Sequence, residues 1–165
     1  VGNIFVDAAL FLGMHSADED LRIRSKNFFA DHLNQHLTMS LEQVGLCDDV
    51  IWRHSRSEQD AYYPFMDCLH TLMQMHRPPV TSADVECASH DAALRRFDMP
   101  ERLMLAKVIL ARGALHTLRP LLLAASGELP VFLPPVGPEQ AFPGTLEAQY
   151  QTSLCLRLSH EELKI

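Results

Sequence analysis

Apolar and polar positions along the chain follow two periods, and each change of period marks a change of element. Ile4, Phe5 and Val6 form a short unbroken apolar run that ends in a carboxylate, Asp7, and continues into Ala8, Ala9 and Leu10. Such a run reads as a buried parallel strand feeding a helix or loop. Over 18–37 the apolar residues Leu21, Phe28, Phe29 and Leu33 share one face of a helix, with mixed charges opposite. Residues 37–39 read as a second strand. Ser40 then N-caps a helix that starts at Leu41 and carries Glu42 in its first turn. A break is expected near 55–57, a further helical stretch over 61–75, and a stop at Arg77, Pro78 and Pro79.

The second half is more regular. Ser82 reads as the cap of a helix with Asp84 and Glu86 in its first turn, and Val85, Ala88, Ala92 and Phe97 fall at helical spacing. Asp98, Met99, Pro100 and Glu101 then open another helix, and Gly113 closes it. Between them 103–111 is apolar nearly all round, so this helix is expected to be buried, with Glu101 at its exposed N-terminal lip. Residues 114–118 and 131–133 read as strands three and four around a short helix over 121–125. The tail over 147–158 is ambiguous, because Leu154, Leu156 and Leu158 alternate like a strand between flanks that suit a helix. Strands alternating with helices at these separations imply parallel βαβ crossovers and a sheet covered on both faces.

Composition narrows the function classes. At 165 residues, 47% apolar and 21% charged, the chain suits one globular domain. No apolar run is long enough to span a membrane, and the first residues lack the basic-then-apolar pattern of a secretory leader, so a cytoplasmic location without membrane contact is expected. The net charge of −7 argues against a large phosphate-binding face, and no DNA partner is expected. Arg22, Arg24 and Lys26, and likewise Arg95, Arg96 and Arg102, read as solvated helix faces. Cys47, Cys68, Cys87 and Cys155 form no CxxC pair and read as buried or half-buried thiols.

Three acids occupy corresponding places: Asp7 after the first strand, Glu42 at a helix start after the second, and Glu101 at a helix start before the third. In a parallel sheet all three point toward the crevice outside the strand ends. Clustered carboxylates suit Mg²⁺ or Mn²⁺, which activates water and offsets phosphate charge. The alternative for each acid is helix capping and N-terminal electrostatics.

At these residues the chain resembles the PIN-domain family, mostly small metal-dependent ribonucleases that include the toxins of toxin–antitoxin pairs. The resemblance lies in NIFVDAALFL, in SLEQV, and above all in VTSADVECASHDAALRRFDMPERLMLAKVILARGALHTL. It implies one PIN-like domain over 1–165, a three-layer α/β/α sandwich with a mainly parallel sheet. It also implies catalytic, metal-ligating roles for Asp7, Glu42 and Glu101, with Asp98 beside the third acid. Thr117 matches the Thr that closes the family's third strand. Two positions later, where the family usually has a fourth acid, stands Arg119. Family members often dimerise through helices in the region of 52–75, where Trp52, Tyr62, Tyr63, Phe65, Met66 and Met73 lie. Those side chains serve either a core or such an interface.

Other constellations are weaker. His32 and His36 are four apart but lack an HExxH context, and Cys47, His54, Cys68 and His70 have no spacing that specifies zinc or a thiol nucleophile. Signatures of a hydrolase elbow, a Walker loop and a dinucleotide fold are absent. Two classes of function remain. One is a Mg²⁺- or Mn²⁺-dependent endoribonuclease; the other is a PIN-like accessory or binding protein, without catalysis, that acts with a protein partner. Arg119 separates them, because its guanidinium can pair with Glu101 or Asp7 in a metal's place or hold substrate phosphate.

Overall fold

The computed structural model describes residues 3–165, so Val1 and Gly2 of the expected domain lie outside the described residues. In chain order the elements are β1 (Ile4–Val6), α1 (Ala8–Gly13), α2 (Glu19–Asp31), β2 (Leu37–Thr38), α3 (Leu41–Ile51), α4 (Arg56–Met73) and α5 (Ser82–His90). After a 3-10 turn at Ala92–Leu94 come α6 (Met99–Leu110), β3 (Ala114–His116), α7 (Pro120–Leu123), β4 (Val131–Phe132), α8 (Thr145–Ser153) and α9 (His160–Leu163). The four strands form one parallel sheet in the order β2-β1-β3-β4, with Phe5 opposite Thr38 on one side and Leu115 on the other.

The period of two along β1 divides the interior. Ile4 and Val6 face one core, shared with α1, α2, α4 and α8, while Phe5 faces a second, shared with α5, α6, Leu115 and Val131. A three-layer α/β/α sandwich results. Gly113 lets β3 enter beside β1, since a Cβ there would lie 2.5 Å from the Phe5 ring and 2.7 Å from the Asn3 carbonyl oxygen.

Several boundaries move, each for a local reason. The first long helix is capped by Asp18 and ends at Asp31, leaving a turn before β2. α4 begins five residues earlier than its apolar pattern, because Ser55 and Glu58 form a capping box, and it tolerates Pro64 within. Thr81, not Ser82, caps α5. Asp91 turns the chain out of that helix, so Ala92 and Phe97 do not continue it. The tail is helical as α8, yet Leu158 makes a parallel bridge with Ser16, so both of its competing patterns are used.

Arg22 and Lys26 overturn the expectation of a solvated face, being only 3% and 1% exposed. Arg22 donates to Glu19, to both oxygens of Glu139 (2.9 and 2.7 Å) and to the Tyr150 hydroxyl (2.7 Å). Lys26 donates to Glu139 and Glu147 at 2.7 and 2.9 Å. Five of these hydrogen bonds reach across more than a hundred residues, so helix periodicity alone could not reveal them. Arg95 and Arg96 are exposed as expected. One face of the 52–75 segment is core: Tyr62, Phe65, Leu69 and Met73 are buried, while Trp52 and Leu72 stand exposed.

Gly113→Ala is expected to destabilise the chain by about 1–3 kcal/mol through overpacking against Phe5, read as a lowered urea midpoint. A second expectation concerns acid. The hydrogen bonds from Arg22 hold the Glu139 carboxyl down at about 2, with Lys26 assisting and burial opposing. Stability from this depressed pKa is complete above the unfolded value of 4.5 and is lost as pH falls toward 2. Glu139→Gln should flatten that limb of the acid-unfolding curve.

Candidate functional site in the crevice beyond β1 and β3

From β1 the chain crosses to β2 on one side and, later, to β3 on the other. Connections therefore leave the carboxyl ends of β1 and β3 in opposite directions, and a crevice opens between them. Asp7 and Thr117 follow those two strand ends. A cavity of about 270 Å³ opens from here, with Ala8, Gln43, Arg53, Arg119, Glu162 and Lys164 in its wall.

Asp7 is 1% exposed and fully engaged. One carboxylate oxygen accepts from the Leu10 N–H at 2.9 Å, capping α1, and the other accepts from the Thr117 hydroxyl at 2.5 Å. Its capping role and its place in the crevice thus coexist. Burial pushes its carboxyl up to about 6, against the Thr117 hydroxyl, the Leu10 N–H and the nearby Arg119 charge. The Thr117 oxygen also accepts from the Arg119 N–H at 3.0 Å.

Glu101 is 3% exposed, which corrects the expectation of an exposed lip. Its backbone N–H donates to Asp98 Oδ1 at 3.0 Å, and its Oε2 accepts from the Asp98 N–H at 3.2 Å, completing a capping box. The other oxygen pairs with the Arg119 guanidinium. Both carboxylate oxygens are occupied, one by the helix and one by the cation. Arg119 Nε is buried without a partner among the described residues.

Glu42 stands apart. Both of its carboxylate oxygens are buried, and neither has a hydrogen-bond partner among the described residues. The next residue makes the contact instead: Gln43 Oε1 accepts from the Ala8 N–H at 2.9 Å, joining α3 to the start of α1. Gln43 was missed by a search for acids. Its signal was an amide inside SLEQV, one residue from an acid; it takes an N–H at the start of α1 that the Asp7 side-chain cap leaves open.

Asp7, Thr117, Arg119 and Glu101 therefore form one connected chain of contacts, with Asp98 behind it and Glu42 outside it. Among the described residues, no three His, Cys, Asp or Glu side chains are grouped to hold a metal ion. Both carboxylate oxygens of Asp7 and both of Glu101 already have protein partners, so a divalent cation would have to displace Arg119 or Thr117 to reach them. Chemically the crevice is an internal ion pair beside a buried carboxylate. The pairing of His32 with His36 also fails, because α2 ends at Asp31; His32 stacks on Phe28 with centroids 4.2 Å apart. His54 is held by Glu162 at 2.7 Å. No helix among the described residues is long and apolar enough to cross a membrane.

A model of a family of unknown function, DUF6190, matches residues 2–163, and the chain belongs to that family. A search of curated proteins returns no match.

The raised Asp7 value has a definite sign. Between the unfolded value of 3.8 and the folded value of about 6 the folded chain holds a proton that the unfolded chain releases, so stability falls through that window as pH rises. The loss amounts to about 3 kcal/mol. Asp7→Asn should abolish this fall, checked by urea unfolding at points below, within and above the window.

Proposed function

We propose that this member of the DUF6190 family is a PIN-like binding or accessory protein in which Arg119 replaces the catalytic metal. The observation that carries this reading is the Arg119–Glu101 pair at the position where PIN-like nucleases gather acids. A guanidinium paired with a carboxylate offsets charge internally and competes directly with an incoming divalent cation. Thr117 supports the arrangement by binding Asp7 and orienting the Arg119 backbone at once. The partner is proposed to be protein, either another enzyme or a second copy of the chain. A net charge of −7 favours that over nucleic acid, whose affinity comes mostly from clustered Lys and Arg.

One observation favours the competing nuclease reading. The two buried, unpartnered oxygens of Glu42 are costly without a proton, water or cation. In that reading Arg119 swings to substrate RNA, and Asp7, Glu42 and Glu101 take up Mg²⁺ or Mn²⁺ and position water for phosphodiester hydrolysis.

Calorimetric titration with Mn²⁺ distinguishes the two. The native chain is expected to show no saturable binding at millimolar metal. Arg119→Asp, which removes the cation and adds an acid, should acquire binding with a dissociation constant below about 1 mM. Saturable Mn²⁺ binding by the native chain, with RNA cleavage abolished by Asp7→Asn, overturns the accessory reading in favour of the nuclease.

A further inference from the structure

The helix α9 is four residues long, and few contacts hold it. Leu158, just before it, is fixed, because its N–H donates to the His15 carbonyl and its own carbonyl accepts from the Ala17 N–H, both at 2.8 Å. Beyond that anchor the buried side chain of α9 is Leu163. Residues 161–164 nevertheless line the crevice cavity, together with Ala9 and Leu12 of α1, Val50 of α3, and Arg119. A short segment over a cavity, held by one apolar side chain, belongs to the low end of local stability.

His54 supplies a further tie. Its Nε2 lies 2.7 Å from Glu162 Oε1 on α9, and its Nδ1 lies 3.5 Å from Glu58 Oε1 on α4. The other oxygen of each glutamate is engaged at its own helix start. Glu58 Oε2 accepts from the Ser55 N–H at 2.9 Å, and Glu162 Oε2 accepts from the Ser159 N–H at 2.8 Å. One imidazole therefore joins the capping boxes of two helices. A neutral imidazole has a single N–H, so one of its nitrogens turns a lone pair toward a carboxylate, whereas imidazolium donates to both. We propose that α9 is a pH-gated flap over the crevice, clasped by charged His54 and loosened when that ring is neutral.

The His54 side chain is 17% exposed, so its pair with Glu162 is screened less than one on the open surface. Arg53 and Asp49, in the same cavity wall, pair with each other at 2.5 Å, and α1 brings no titratable side chain of its own. Glu161, Lys164 and Arg119 complete the charged lining, and they are of types that do not titrate with imidazoles. Two nearby groups do titrate there: Asp7 at the start of α1, raised by burial to about 6, and His160 on α9, whose Nε2 lies 3.2 Å from Asp18. The His160 side chain is 56% exposed, so its pair contributes less. As pH rises, His54 loses its second N–H, one carboxylate loses its donor, and α9 opens more often. Because Arg119 lies in the same wall, access to it rises with pH. This inference holds under either reading of the crevice.

The test is amide hydrogen exchange of the intact chain by NMR at about pH 5.5 and about pH 8, corrected for intrinsic rates. The Leu163 and Ile165 amides donate to the Ser159 and His160 carbonyls. Their protection should fall about three- to tenfold over that interval, while amides within α4 keep theirs. A neutral gadolinium chelate should broaden the methyl signals of Ala9 and Leu12 more at the higher pH. His54→Gln cannot charge, so it should show the loosened level at both pH values, whereas Asp7→Asn and His160→Gln should keep the native response. The proposal is overturned if α9 protection is independent of pH, or if His54→Gln keeps the native response or the low-pH level throughout. It is overturned equally if Asp7→Asn or His160→Gln abolishes the response, or if α4 loses protection in parallel, which marks general unfolding.

Discussion

The hydroxyl of Thr117 is the point on which the crevice depends. It donates to a carboxylate at the end of β1 and accepts from the backbone that leaves β3, so one oxygen fixes two strand ends that diverge beyond it. Asp7 passes the constraint on by capping α1, and Gln43 ties α3 to the same helix start. A charged group this deeply buried is tolerable only when hydrogen-bonded, which makes the geometry of Asp7 and its neighbours mutually dependent. Arg119 is delivered to Glu101 by that arrangement.

Among the described residues, ion pairs with a buried partner cross-link the molecule at the following places. Arg119 meets Glu101 across the crevice, Lys107 meets Asp84 between α5 and α6 at 2.5 Å, and Arg22 and Lys26 clamp Glu139 and Glu147 against α2. Such pairs add little net stability compared with apolar packing of the same volume, but breaking one side of a buried pair is severe. Their effect is to hold particular segments in register. Glu42 departs from that pattern, its two buried carboxylate oxygens having no hydrogen-bond partner among the described residues.

Local signals carried the sequence reading well wherever structure is decided locally. The apolar run into Asp7 and the Asp98–Glu101 capping box lie within a turn or two of what they determine and appear as expected; the helix also ends just before Gly113, but Arg112 rather than Gly113 takes the left-handed backbone there. The parallel sheet followed from the alternation of elements. What could not be read was set at long range. Charge in the 22–26 cluster suggested solvent because its partners lie far along the chain, and Glu101 appeared to be an exposed lip because Arg119 reaches it from β3's far end.

The same long-range character bears on how the chain reaches its fold. His15 hydrogen-bonds Ser153 at 2.7 Å, Leu158 pairs with Ser16, and Tyr150 donates to the Met14 carbonyl. The turn after the first helix is therefore completed by residues more than 130 positions later. Loop-closure entropy must be met before these contacts form, which slows folding relative to a protein of neighbouring contacts. During synthesis α1 and α2 must wait, with Arg22 and Lys26 still hydrated, until residues 139–158 have emerged. Docking of α8 and the segment before it is then the step that commits those cations to the interior.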